Sequence, residues 1–137
     1  MAIENKAPGK DVSDEDLREK FPLAAKKDSN HKSSFEVNGI KFGGEKIPIF
    51  AGPNMVESEE LILKIAKFLK SQNIDFLRGG AFKPLTFPYR SEKYTETRED
   101  GLKWLKKAKE VTGINIITEI MHPSFLDQID FVDIIQI

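Results

Sequence analysis

The residues with the most chemical reach lie in four short stretches. Arg78-Gly79-Gly80-Ala81-Phe82-Lys83-Pro84 sets two cations close together beside a pair of glycines. Arginine grips a phosphate or carboxylate through two parallel hydrogen bonds, and lysine adds a movable point charge. Glycine lets a ligand approach the backbone. The pair therefore suits an anionic, phosphorylated ligand, although the same two residues would serve as well as solvated surface charges. Thr118-Glu119-Ile120-Met121-His122 offers a carboxylate and an imidazole. Glu119 could orient a hydroxyl, move a proton, or pair with Arg78 or Lys83 in a structural salt bridge. His122 stands before Pro123, where capping the next turn is the plainer role. Ala51-Gly52-Pro53-Asn54 and Gln136-Ile137 add two amides. His31 lies in a polar stretch, and the two histidines form no HxxxH pair; with no cysteine present, no metal motif emerges.

These groups need elements to hold them. Residues 1–34 are polar and charged, and they read as a tail, with a short helix over 14–21 capped by Ser13. Phe35-Glu36-Val37 and Ile40-Lys41-Phe42 alternate apolar and polar residues around Asn38-Gly39, a strong hairpin signal. Residues 47–51 form an apolar run closed by Gly52-Pro53, as a strand buried on both faces would. Ser58, Glu59 and Glu60 open an amphipathic helix over 58–72, with Leu61, Ile62, Ile65 and Leu69 at helical spacing. A second strand over 74–77, a helix over 99–111 ended by Gly113, a third strand over 114–118, a short helical connection over 123–130 and a fourth strand over 132–137 follow. Trp104 reads as packing on its helix.

Strands alternating with helices imply an α/β fold with a parallel sheet. An open doubly wound sheet and a (β/α)8 barrel share that rhythm, and in both the functional groups gather at the carboxyl ends of the strands. Asn54, Arg78, Lys83, Glu119, His122 and Gln136 should then share one rim. The chain ends inside an apolar strand, which reads as a truncated fold or one that a partner completes. Its 137 residues fit one domain or part of one. A net charge of −1 gives no bulk drive toward nucleic acid or a membrane surface. No disulfide is possible, and the N-terminus has no apolar core of a secretion signal, so the expected setting is cytoplasmic.

Taken together, IFAGPNMVESEE, FLRGGAFKPLTFPYR, REDGLKWLKKAKEVTGINIITEIMHP and FVDIIQI resemble the first four strands of the 3-deoxy-D-arabino-heptulosonate 7-phosphate (DAHP) synthase family, in the branch that shares ancestry with 3-deoxy-D-manno-octulosonate 8-phosphate synthase. The resemblance covers residues 35–137, and RGGAFKP and GLKWL point to the DAHP side. It implies part of a (β/α)8 barrel preceded by a β-hairpin that plugs its floor. It also implies a transferase that condenses phosphoenolpyruvate with erythrose 4-phosphate at the entry to aromatic amino acid synthesis. By position, Arg78 and Lys83 resemble the groups that bind phosphoenolpyruvate, Pro84 and Thr86 belong to the loop that meets the aldose phosphate, and Glu119 resembles the acid at the end of the third strand.

Three departures from the pattern follow. Asn54 occupies the place of the family's metal-binding cysteine, so the divalent metal common in the family loses a soft ligand. In the octulosonate relatives asparagine here marks the branch that works without metal. Leu85 and Phe87 replace the arginine and serine of the family's K-P-R-T-S; a lost charge-assisted contact costs about 1.5–3 kcal/mol. The second half of the barrel, with further metal ligands and phosphate-binding cations, is not in this sequence. Two readings therefore stand side by side: an enzyme completed by a self-copy or a separate chain, and a non-catalytic sugar-phosphate-binding or assembly module. An octulosonate-type activity is a third.

Overall fold

The computed structural model describes residues 13–82 and 96–137. Contacts divide the chain into two units, Met1–Ser33 and Ser34–Ile137. In the first, Ser13 caps helix α1 (Asp14–Lys20) as expected, and Asp16 closes a capping box. Asp16 N–H donates to Ser13 Oγ at 3.1 Å, and Ser13 N–H donates back to the Asp16 carboxylate at 3.2 Å. No residue of α1 is buried, so this helix owes more to its cap than to packing.

The second unit begins with strands β1 (Phe35–Val37) and β2 (Ile40–Phe42), an antiparallel hairpin. Asn38 and Gly39 both have positive φ (49° and 80°), as the tight turn between right-twisted strands requires. Four parallel strands follow: β3 (Phe50–Ala51), β4 (Phe76–Arg78), β5 (Asn115–Glu119) and β6 (Ile134–Gln136), in the spatial order β3-β4-β5-β6. Each crossover steps the same way across the sheet. In a doubly wound sheet the direction reverses at a switch point, so these four strands lack the feature that would mark that architecture.

Helices α2 (Glu59–Ser71) and α3 (Arg98–Thr112) cover one face. Ile62, Ala66 and Leu69 of α2 meet Leu105 and Ala108 of α3 over Leu77 and Ile116 of the sheet, with Trp104 packed at the margin. A second cluster joins Ala81, Phe82, Leu102 and Ile129, flanked by Phe125 and Phe131. On the other face the hairpin meets the base of the sheet. Phe42 lies 5.8 Å from both Phe50 and Phe76, ring centre to ring centre, and Phe76 is fully buried. Such aromatic contacts add about 0.5–1.5 kcal/mol each beyond area burial.

Element types agree with the sequence pattern, and edges differ for local reasons. The first strand is shorter than the apolar run because Pro48 has no N–H to pair and Ile49 donates its N–H to Asp75 Oδ2 at 3.1 Å. The second starts at Phe76 rather than Ile74 because α2 ends in a Schellman motif. Asn73 takes φ 56°, and Asn73 and Ile74 donate their N–H groups back to Lys70 and Leu69. The connection after β5 is a 3-10 helix, Pro123–Gln128.

Candidate functional site

The carboxyl ends of the four parallel strands lie along one edge of the sheet. Alternation along β5 turns Ile116 and Thr118 toward the helices and Ile117 and Glu119 toward the opposite face. Register places Arg78 beside Ile117 and Glu119 beside Gln136. Arg78, Glu119 and Gln136 therefore share that face at its carboxyl rim, and the turn after β3 brings Asn54 to the same rim.

Arg78 is the centre of the arrangement. Its Nη1 donates to Asn54 Oδ1 at 2.9 Å, and more weakly to the Pro53 carbonyl at 3.5 Å. Its Nε donates to Gln136 Oε1 at 3.4 Å. All three acceptors are neutral, so the guanidinium is oriented without its charge being cancelled by them. It is half-buried and aimed along this rim, and among the described residues not all of its five N–H donors are used. Glu119 is also half-buried, with Oε1 enclosed.

The turn geometry behind Arg78 depends on glycine. Gly52 has φ 147°, and a Cβ there would sit 2.0 Å from the Arg78 carbonyl oxygen. At Gly79 a Cβ would meet Val56 Cγ2 at 2.9 Å and Leu105 Cδ2 at 3.2 Å. The open side of Gly79 is thus filled by the protein's own core, which gives that glycine a packing role where the sequence suggested ligand approach. Val56 N–H donates to the Gly80 carbonyl at 3.0 Å, and Thr118 Oγ1 donates to the Gly79 carbonyl at 2.6 Å. The backbone just past Arg78 is thereby tied to two neighbouring segments.

Of the residues singled out in the sequence, Asn54, Arg78 and Gln136 meet directly, and Glu119 shares their face. His122 accepts from Ser124 N–H at 3.2 Å through Nδ1 and so caps the 3-10 helix. His31 Nδ1 accepts from Lys27 N–H at 3.1 Å in the first unit. Lys83, Pro84 and Thr86, with Leu85 and Phe87, lie outside the described residues. Two residues escaped notice: Thr118, fully buried behind Arg78, and Asp133 at the foot of β6. A lone carboxylate inside Phe-Val-Asp-Ile-Ile-Gln-Ile is a signal that could have found the second, because a charge in an apolar strand needs built-in partners.

The model of the DAHP synthetase I family matches residues 20–137. That match begins inside the stretch over 1–34 expected from its sequence to be a polar tail. Phospho-2-dehydro-3-deoxyheptonate aldolase of Thermotoga maritima is 31% identical over 118 residues, which are 85% of this chain and 34% of that protein. A 2-dehydro-3-deoxyphosphooctonate aldolase of Pisum sativum is 35% identical over 99 residues, 65% of this chain and 32% of the relative. The crystal structure of the Thermotoga maritima DAHP synthase aligns with a TM-score of 0.67 at 31% identity, covering 97% of this chain and 35% of that one. The chain thus spans about a third of the length of the relatives it matches.

Proposed function

The chain belongs to the DAHP synthetase I family, and from that membership we propose that it supplies the first four strands of a (β/α)8 barrel whose rim binds phosphoenolpyruvate. The one-way strand order, the helices on a single face and the hairpin packed against Phe50 and Phe76 support the barrel reading. A complete barrel of this kind has eight strands.

In this reading Arg78 and Lys83 hold the phosphoenolpyruvate anion, and Pro84 and Thr86 meet the phosphate of an aldose, erythrose 4-phosphate. Glu119 orients the aldose hydroxyls or transfers a proton. The condensation forms a carbon–carbon bond between the enol and the aldehyde, water adds to the resulting cation, and phosphate leaves. The observation that carries the proposal is the Arg78 guanidinium, held by Asn54 and Gln136 at the carboxyl end of β4 and bonded to no carboxylate among the described residues.

A divalent metal at Asn54 does not fit these residues. Its amide oxygen already accepts from Arg78 at 2.9 Å, which puts a positive charge where a cation would have to sit. Among the described residues no group of three or more His, Asp or Glu side chains could hold a metal. Asn54 also favours the octulosonate-type activity as a second reading, in which the aldose is one carbon longer.

Calorimetry with phosphoenolpyruvate on the purified chain tests the proposal. Binding that Arg78→Ala and Lys83→Ala each abolish supports the substrate site, and a parallel titration with the two aldose phosphates separates the two activities. A folded chain that binds no phosphoenolpyruvate overturns it and leaves the non-catalytic module.

A further inference from the structure

Asp133 interrupts an apolar run just ahead of β6. Its side chain is 8% exposed, and a carboxylate removed from water must be well partnered. Its partners come from three different elements. Oδ2 accepts from the Ile116 N–H of β5 at 2.7 Å. Oδ1 accepts from Lys109 Nζ of α3 at 2.7 Å and from Asn38 Nδ2 of the hairpin turn at 2.6 Å. The Asp133 N–H in turn donates to the Ile116 carbonyl at 3.0 Å. One residue therefore grips both backbone groups of Ile116.

That double grip lies where β6 enters the sheet, one residue before the pairs Ile117 with Ile134, Thr118 with Ile135 and Glu119 with Gln136. A slip of one residue in a strand sends every side chain to the opposite face. Gln136 is where such a slip would be felt at the rim, because its Oε1 reaches across β5 to accept from Arg78 Nε. A simple ion pair with Lys109 would not need the Ile116 contacts, and the Ile116 contacts alone would not need the hairpin.

We propose that Asp133 is a positioning residue for the rim: it locks the register of β6, so that Gln136 meets Arg78, and ties that register to the hairpin through Asn38. The inference rests on the reading of Arg78 as the anion-binding group.

The test uses the full chain and two readouts. One is the NMR resonance of the Arg78 Nε–H group, assigned by its loss in Arg78→Lys. The other is phosphoenolpyruvate affinity by calorimetry, with circular dichroism to establish folding. Asp133→Asn keeps the shape, removes the charge and converts one acceptor into a donor. It is expected to move the Arg78 resonance to the position seen in Gln136→Ala. Affinity should weaken about three- to tenfold in the wild-type background and less than about twofold further in Gln136→Ala, as residues acting through one contact should. If Asp133→Asn does not fold, Lys109→Met removes one of the three donors to the Asp133 side chain, together with the donor to the Phe131 carbonyl, and is expected to shift the resonance the same way by a smaller step. A folded variant of either kind whose Arg78 resonance stays in place overturns the proposal, whatever its melting temperature. Wild-type chain that binds no phosphoenolpyruvate overturns the anion-site reading instead, and the resonance alone then decides the role of Asp133.

Discussion

Replacing Gly52 by alanine should be among the most damaging single-methyl changes available to this chain. The added Cβ would lie 2.0 Å from the Arg78 carbonyl oxygen, 3.0 Å from its carbonyl carbon and 3.1 Å from its nitrogen. Non-bonded carbon contacts are comfortable at about 3.5–4.0 Å, so the two backbones must part by more than about 1 Å. No side-chain rotation relieves this, because the obstacle is backbone. The φ of 147° adds strain for any residue with a side chain, a cost of about 1–3 kcal/mol. The β3–β4 ladder offers little resistance, since it consists of two register pairs, Phe50 with Phe76 and Ala51 with Leu77. Losing one or two of its hydrogen bonds adds about 0.5–1.5 kcal/mol each. The sum is a loss of about 1.5–6 kcal/mol, or partial release of β3 from the sheet. Urea unfolding followed by circular dichroism measures it, with the slope checked for a change in the surface exposed. Gly39→Ala is the control. Its φ is also positive, at 80°, but nothing lies within 4 Å of the added Cβ, so it should cost only about 1 kcal/mol of conformational strain. If Gly52→Ala costs no more than Gly39→Ala, steric closure between β3 and β4 is not what requires glycine there.

Three further changes probe other parts of the argument. Phe76→Ala empties a fully buried site between Phe42 and Phe50 and should cost about 3–5 kcal/mol in the same unfolding assay, since neighbouring rings cannot all collapse into the gap. Thr118→Val keeps the shape but leaves the Gly79 carbonyl without the 2.6 Å hydroxyl donor; a loss of about 1–3 kcal/mol is expected by urea titration, with no change in strand content. Arg78→Lys keeps the charge but cannot reproduce a fork that spans Asn54 and Gln136. Calorimetry should show phosphoenolpyruvate bound about tenfold more weakly, against a larger loss in Arg78→Ala.

Much of this molecule is legible in the order of its residues, because the determining physics is local. Asn38-Gly39 dictates a hairpin through backbone freedom, Ser13 and Ser58 mark helix starts through their hydroxyls, and the apolar periodicities separate helix from strand. The rim could be anticipated as well. Once Arg78, Glu119 and Gln136 are placed at the ends of parallel strands, topology gathers them. The family motifs add Lys83, Pro84 and Thr86 by resemblance, and these lie outside the described residues. What the residue order left open was decided by contacts between segments far apart in sequence. Whether the parallel strands run one way or reverse depends on which strand lies beside which, and both arrangements bury the same apolar runs. Gly79 could be assigned to packing only when Val56 and Leu105 were found against it. Asn54 could be read as the loss of a cysteine ligand, but not as a partner of Arg78, 24 residues away, whose Nη1 donates to its oxygen. Asp133 drew no reading of its own, because Asn38 and Lys109 come to it from 95 and 24 residues away. Periodicity records which face of an element is buried, and only tertiary structure decides what that face is buried against.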